Sequence, residues 1–235
     1  MSLRGAILFA LRRLDRRSFT GLPLTLLTAA GGYLLAEFLD LTEDVAQSAA
    51  LSRADVLTES ALARLRAPGL LRAAYWFTQL GNWRIVLIEV LAASVVWLAR
   101  GRRYLILPLW TACLGSLAFN WTAKTALGRP RPLTAYYLEP SFAYPSGHSA
   151  IAVACYGFLA YAVWKTTAVP GLRRAAPPAG GALIVLIGFS RLYLGVHYLS
   201  DVAGGFMQGG VCLTVGVGLA EWLEARRMSQ ANGRA

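Results

Sequence analysis

Only two histidines occur in the 235 residues, His148 and His197, and each sits in a run of residue types suited to holding a phosphate. Three segments carry this chemistry. The first is Lys124-Thr-Ala-Leu-Gly-Arg129-Pro-Arg131-Pro132, the second Tyr144-Pro145-Ser146-Gly147-His148-Ser149, and the third runs from Ser190-Arg191 through His197 to Asp201. Lys124, Arg131 and Arg191 supply three cations; the planar guanidinium fork matches phosphate oxygens, and the ammonium acts as a point charge. Pro145-Ser146-Gly147 is predicted to open a helix, whose free N–H groups and positive dipole end form an anion seat. Gly147 allows close backbone approach there, and Ser146 adds a hydroxyl donor. His197 and Asp201 are four apart and share a face if that stretch is helical. An aspartate that accepts the Nδ1 proton fixes the tautomer and leaves Nε2 free to attack phosphorus. His148 is then placed to protonate the departing oxygen and afterwards to deprotonate a water. The cations stabilise charge on the equatorial oxygens of the transition state. The candidate catalytic residues are therefore His197, His148 and Asp201. The candidate phosphate-binding residues are Lys124, Arg131, Arg191, Ser146 and Gly147. No carboxylate cluster suited to Mg²⁺ accompanies them, and Cys113, Cys155 and Cys212 fall within apolar runs, so neither metal nor cofactor is expected.

Residues so far apart need a scaffold to bring them together, and the composition says which. The chain is 56% hydrophobic and 15% charged, too apolar for a soluble domain with about 25% charge and far from the composition of a disordered one. Six runs approach the roughly 20 apolar residues that a bilayer core requires: Phe19–Leu39, Trp83–Ala99, Tyr104–Ala123, His148–Trp164, Ala179–Val196 and Asp201–Leu223. The predicted fold is all-α, a six-transmembrane-helix bundle forming one membrane-embedded domain over residues 1–235. Between the first two spans, Leu41–Leu65 mixes apolar and charged residues. It is expected to form an amphipathic helix on the outer membrane surface, or alternatively a gate beside a lipid opening.

Charge follows the spans. Fourteen of the 23 Lys and Arg fall before the first span, between the second and third, between the fourth and fifth, or after the sixth. The positive-inside rule places those segments, and both termini, in the cytoplasm. The three chemical segments then lie at the outer face, and the net charge of +11 needs no nucleic-acid partner. The basic stretch from Arg4 to Arg17 ahead of a long apolar run is expected to flank a retained first helix, because the run is too long for a signal peptide. Gly204, Gly205, Gly209 and Gly210 fit close helix packing in the sixth span. Glu37, Glu89 and Asn120 are polar groups in or near spans, which either serve function or bond between helices; Asn120, one turn before Lys124, is also placed to orient it. Arg129 contacts either phosphate or headgroups, and Ser190 either bonds a catalytic group or packs.

The three segments resemble the pattern of the type 2 phosphatidic acid phosphatase superfamily, K-x6-R-P, P-S-G-H and S-R-x5-H-x3-D. Every specified position is met: Lys124, Arg131 and Pro132; Pro145 to His148; Ser190, Arg191, His197 and Asp201. The resemblance implies a bacterial integral membrane phosphatase that hydrolyses a lipid phosphate or diphosphate without metal, through a phosphohistidine, at the outer face of the plasma membrane. Isoprenyl diphosphate, phosphatidylglycerol phosphate and phosphatidate are the expected substrate classes, with the lipid chain arriving laterally between helices. A phosphotransferase using the same intermediate and a non-catalytic lipid-phosphate binder or transporter are the alternatives. Oligomeric state is not legible.

Overall fold

A computed structural model describes residues 21–232. Phe19, at the start of the expected first span, the arginines from Arg4 to Arg17, and Arg234 lie outside them. The described residues form eight α-helices and no strand: α1 (Leu22–Gln47), α2 (Ala49–Arg64), α3 (Pro68–Thr78), α4 (Trp83–Ala99), α5 (Ile106–Leu127), α6 (Gly147–Thr166), α7 (Pro170–Tyr193) and α8 (Leu199–Asn232). Five of them, α1, α5, α6, α7 and α8, are long and apolar enough to cross a membrane; α3 and α4, bent by 49° at a short break, make the sixth span when taken together. The chain is thus an all-α, multi-pass membrane bundle.

Several boundaries differ from the sequence reading. Helix α1 runs on to Gln47, because nothing before Ser48 interrupts it. Ser48 ends α1 and caps α2, its Oγ accepting the Leu51 N–H at 3.2 Å. The expected amphipathic segment is therefore divided, and only Ala49–Arg64 forms the separate helix. That helix exposes Val56 and Leu57 but buries Asp55 at 2% exposure, so its inward face carries a charge rather than an apolar stripe. Helix α3 went unrecognised: its 11 residues are too few to register as a span. Helix α7 starts at Pro170, nine positions ahead of the expected Ala179. The pair Pro177-Pro178 lies inside it, although each proline removes an intrahelical hydrogen bond.

The helix ends decide where the chemical residues go. Helix α5 closes on Gly128 at φ +62°, the left-handed conformation that glycine adopts without strain. This turns residues 128–146 back across the end of the bundle. Helix α7 closes just before Gly195, also left-handed at φ +66°, and the short link to α8 carries His197. The centre of the bundle is α6, against which α5, α7 and α8 pack. Leu105, Leu109, Ile151, Cys155 and Phe158 are fully buried in the core. Glycines let α8 lie almost backbone to backbone on the first turns of α6. A Cβ on Gly205 would stand 2.5 Å from the Ser146 carbonyl oxygen, and one on Gly209 would stand 2.3 Å from that of Ala150. This closeness places the Ser146 N–H 2.9 Å from the Asp201 carbonyl oxygen. At the opposite end, Lys165 pairs with Glu221 and Glu224.

Because backbone cannot yield as a flexible side chain can, Gly209→Ala is expected to force α6 and α8 apart. Overpacking of this kind costs about 1–3 kcal/mol, measurable as a lower thermal unfolding midpoint in detergent, whereas an alanine at the open Gly181 leaves the midpoint nearly unchanged.

Candidate active site

Four elements deliver side chains to one end of the bundle: the C-termini of α5 and α7, the N-termini of α6 and α8, with the 128–146 loop folded over them. A cavity of about 360 Å³ opens there, and Lys124, Arg131, Glu139, Gly147, His148 and His197 are all on its wall. The two imidazoles face one space. Part of the same wall is apolar. Trp83, Leu117 and Ile151 are shared with a groove of about 160 Å³ that continues between α4 and α5 along Val86, Val90 and Leu114.

His197 is buried at 2% exposure. Its Nδ1 lies 3.3 Å from Asp201 Oδ2, and its Nε2 lies 3.1 Å from Arg131 Nη1. A guanidinium can only donate, so Nε2 must carry the lone pair and Nδ1 the proton. Asp201 is fully buried. Besides the imidazole it accepts the Tyr198 N–H at 2.8 Å on Oδ2 and Arg129 Nη1 at 2.6 Å on Oδ1. Burial holds the His197 pKa well below the ordinary histidine value, and the charges of Arg131, Arg191 and Lys124 add to that effect.

The cations are not free. Arg131 donates through Nε to the Ser141 carbonyl at 2.7 Å and pairs with Glu139 Oε2 at 2.6 Å. Arg191 has no exposed surface and stands behind the cavity wall. It reaches Tyr137 OH at 2.6 Å and Thr78 Oγ1 at 3.1 Å, and it pairs with the other oxygen of Glu139. Glu139 thus bridges two arginines with its two oxygens, inside the cavity. Burial alone would raise its pKa; Arg191 and Arg131 outweigh burial and hold it down at about 2. Lys124 donates to the Phe142 carbonyl.

Of the eight residues singled out by spacing, Lys124, Arg131, Gly147, His148 and His197 meet on the cavity wall, with Arg191 and Asp201 directly behind it. Ser146 does not reach the cavity. It is fully buried, and its Oγ caps α6 by accepting the Ser149 N–H. An N-cap serine must turn its hydroxyl onto its own helix, which is why it offers nothing outward. Ser190 bonds the Ile187 carbonyl of its own helix at 2.6 Å, so it packs. The Asn120 amide donates to the Pro145 carbonyl at 3.2 Å and to Gln208 Oε1 on α8 at 2.9 Å, so it bonds between elements. Sequence reasoning missed Glu139, whose only signal was an acid lying between Arg131 and His148, and Asp55, which had none.

The sequence pattern of a family described as the PAP2 superfamily matches residues 104–224. Phosphatidylglycerophosphatase B of Bacillus subtilis (strain 168) is 32% identical over 172 residues, which cover 68% of this chain and 80% of that protein. A crystal structure described as the first transmembrane PAP2 type phosphatidylglycerolphosphate phosphatase from Bacillus subtilis superposes with a TM-score of 0.75 at 28% identity. It covers 80% of this chain and 94% of that one. Aquifex aeolicus LpxE shares the fold at a TM-score of 0.57 and 22% identity, over 69% of this chain and 94% of that one.

A histidine held below its ordinary pKa is neutral when folded but takes up a proton when unfolded, so acidification through about pH 6.5 works against the native state at this position. Nitrogen-15 NMR of the histidine-labelled protein is expected to show His197 neutral near pH 6.5, with its proton on Nδ1. A protonated ring at that pH contradicts the tautomer deduced from Arg131.

Proposed function

The chain belongs to the PAP2 superfamily, and from that premise we propose that it is a lipid phosphatase whose His197 takes the phosphoryl group of a membrane lipid. The observation that carries the reading is that both imidazoles and two of the three candidate cations line a single cavity with an apolar outlet. A pocket serving only to bind phosphate needs cations; it does not need a neutral, oriented imidazole.

In the proposed reaction the phosphate displaces the Glu139 carboxylate from Arg131 and Arg191. Arg131 then releases the lone pair of His197 Nε2 and turns to a phosphoryl oxygen. Nε2 attacks phosphorus in line with the bond to the lipid oxygen. Charge that builds on the imidazole is met by Asp201 across the Nδ1 hydrogen bond, and charge on the equatorial oxygens by Lys124, Arg131, Arg191 and the N–H groups at the start of α6. The bound phosphate dianion draws a proton onto His148, and as the P–O bond breaks His148 gives that proton to the leaving oxygen. The neutral His148 next takes a proton from water. That water cleaves the phosphohistidine, and inorganic phosphate leaves with His197 restored.

Likeness to the Bacillus subtilis phosphatidylglycerophosphatase supports phosphatidylglycerol phosphate as the first substrate to test. The apolar groove between α4 and α5 supports lateral seating of a lipid chain while its headgroup is in the cavity. The charge distribution supports cytoplasmic termini and a site on the outer side of the bacterial inner membrane, at the level of the outer leaflet's headgroups.

Right-side-out vesicles carrying phosphatidylglycerol phosphate in the outer leaflet are expected to release phosphate to the external medium in the presence of a chelator. Replacing the nucleophile should lower turnover by several orders of magnitude, as loss of a triad nucleophile does. Persistent phosphate release by a folded His197→Ala protein overturns the mechanism, and release only to the interior overturns the orientation.

A further inference from the structure

We infer that Asp55 and Arg129 are positioning residues for the reaction proposed above: they hold the Asp201 carboxylate ionised and aimed at His197 Nδ1, so that the helix between the first two spans takes part in orienting the nucleophile. The inference rests on the reading of His197 as the phosphoryl acceptor, but it has a readout of its own.

The contacts form one continuous chain. Arg129 Nη1 donates to Asp201 Oδ1 at 2.6 Å and to Ser200 Oγ at 2.7 Å, while Nη2 donates to Asp55 Oδ2 at 2.7 Å. Asp55 comes from α2, far away in sequence. Its Oδ1 accepts the Ser200 N–H at 3.0 Å, and its Oδ2 accepts the Ser200 hydroxyl. Ser200 is the residue before Asp201, so Asp55 fixes both the guanidinium and the backbone on which Asp201 stands. The Arg129 guanidinium is also seated over the Tyr198 ring, 4.6 Å from its centroid. Asp55 and Asp201 are buried at 2% and 0% exposure.

Electrostatics decides what this chain of contacts does. A lone buried carboxylate pays heavily for its charge and takes up a proton instead. Protonated, Asp201 would be a weak partner for the imidazolium character that develops on His197. Arg129 supplies the missing countercharge, and two buried acids sharing one arginine keep it in place. Burial works against the charge on Arg129, but Asp201 and Asp55 more than offset this and raise its pKa. Arg129 is not on the wall of the cavity that holds the two imidazoles. It therefore acts through Asp201 rather than on substrate, although it stands only two residues from the cavity-lining Arg131.

Turnover of phosphatidylglycerol phosphate by the purified protein, resolved into kcat and KM, tests the role when Arg129→Gln, Arg129→Lys and Asp55→Asn are each made in the native and the Asp201→Asn background. In the native background kcat is expected to fall on the order of 10–100-fold, the range found when groups behind a functional imidazole are removed, with KM changed little. Arg129→Lys, which keeps a charge, should recover part of the loss. In the Asp201→Asn background the same substitutions should do almost nothing more, because the carboxylate they serve is gone. Equal losses in both backgrounds, or a rise in KM at constant kcat, overturn the inference; the latter would put Arg129 on the substrate. Nitrogen-15 NMR of His197, assigned with His148→Gln, gives an answer that does not depend on turnover. Arg131 still caps Nε2 in these variants and keeps the proton on Nδ1, so the readout is the Nδ1–H proton resonance. An upfield move in Arg129→Gln or Asp55→Asn, as the hydrogen bond to the Asp201 carboxylate weakens, supports the role, and an unchanged resonance overturns it. A failed His197→Ala control would remove the phosphohistidine reading while leaving this NMR outcome standing. Should Arg129→Gln not fold, Arg129→Lys and Asp55→Asn carry both measurements.

Discussion

Asp201 has no exposed surface, so its charge has to be met inside the protein; breaking a buried pair of this kind costs about 3–5 kcal/mol. Much of the surrounding architecture answers to that requirement. Gly128 ends α5 in the left-handed conformation and sends Arg129 back to the carboxylate. Ser48 stops α1 and starts α2 on a new course, which brings Asp55 to the far side of the same guanidinium. Glycines on α8 let the start of that helix sit against the start of α6, and His197 is thereby fixed on one side of a cavity that has His148 on its wall. What looks like a collection of motifs is one neutralised charge array with an imidazole at its edge.

The same constraint operates on the phosphate side. Arg131 and Arg191 stand close together in a largely buried place, where two like charges repel strongly. Glu139 relieves that repulsion by giving one oxygen to each, and its low pKa keeps it anionic throughout the working range. In the proposed reaction an anion is always present between the arginines, carboxylate at rest and phosphate in turnover. In that proposal the exchange is what frees the His197 lone pair, since the Arg131 guanidinium that binds Glu139 through Nη2 also caps Nε2 through Nη1. Binding of substrate and activation of His197 are then coupled, in the proposed reaction, through a single side chain.

Local spacing made most of the site legible. His197 and Asp201 were readable as partners because four residues fix a face, and the cations were readable because each accompanies a turn residue at a span end. The spans were readable because hydropathy integrates over many residues. What escaped depends on contacts across long separations or on length thresholds. Arg129 stood two residues from Arg131 with nothing to distinguish their roles; its meaning lies in Asp55, on another helix. The spacing of Ser146 suits a phosphate ligand and a helix cap alike; its Oγ caps α6, because an uncapped helix start leaves N–H groups unpaired. Helix α3 escaped because its 11 residues cannot cross a bilayer without α4.

A crystal structure of the protein soaked with orthovanadate tests the arrangement most directly. Expected is vanadium bonded to His197 Nε2, its equatorial oxygens held by Lys124, Arg131 and Arg191, with the Glu139 carboxylate moved out of the seat. Vanadate bound to His148, or lodged in the cavity with Glu139 still bridging the two arginines and His197 Nε2 still capped, contradicts it.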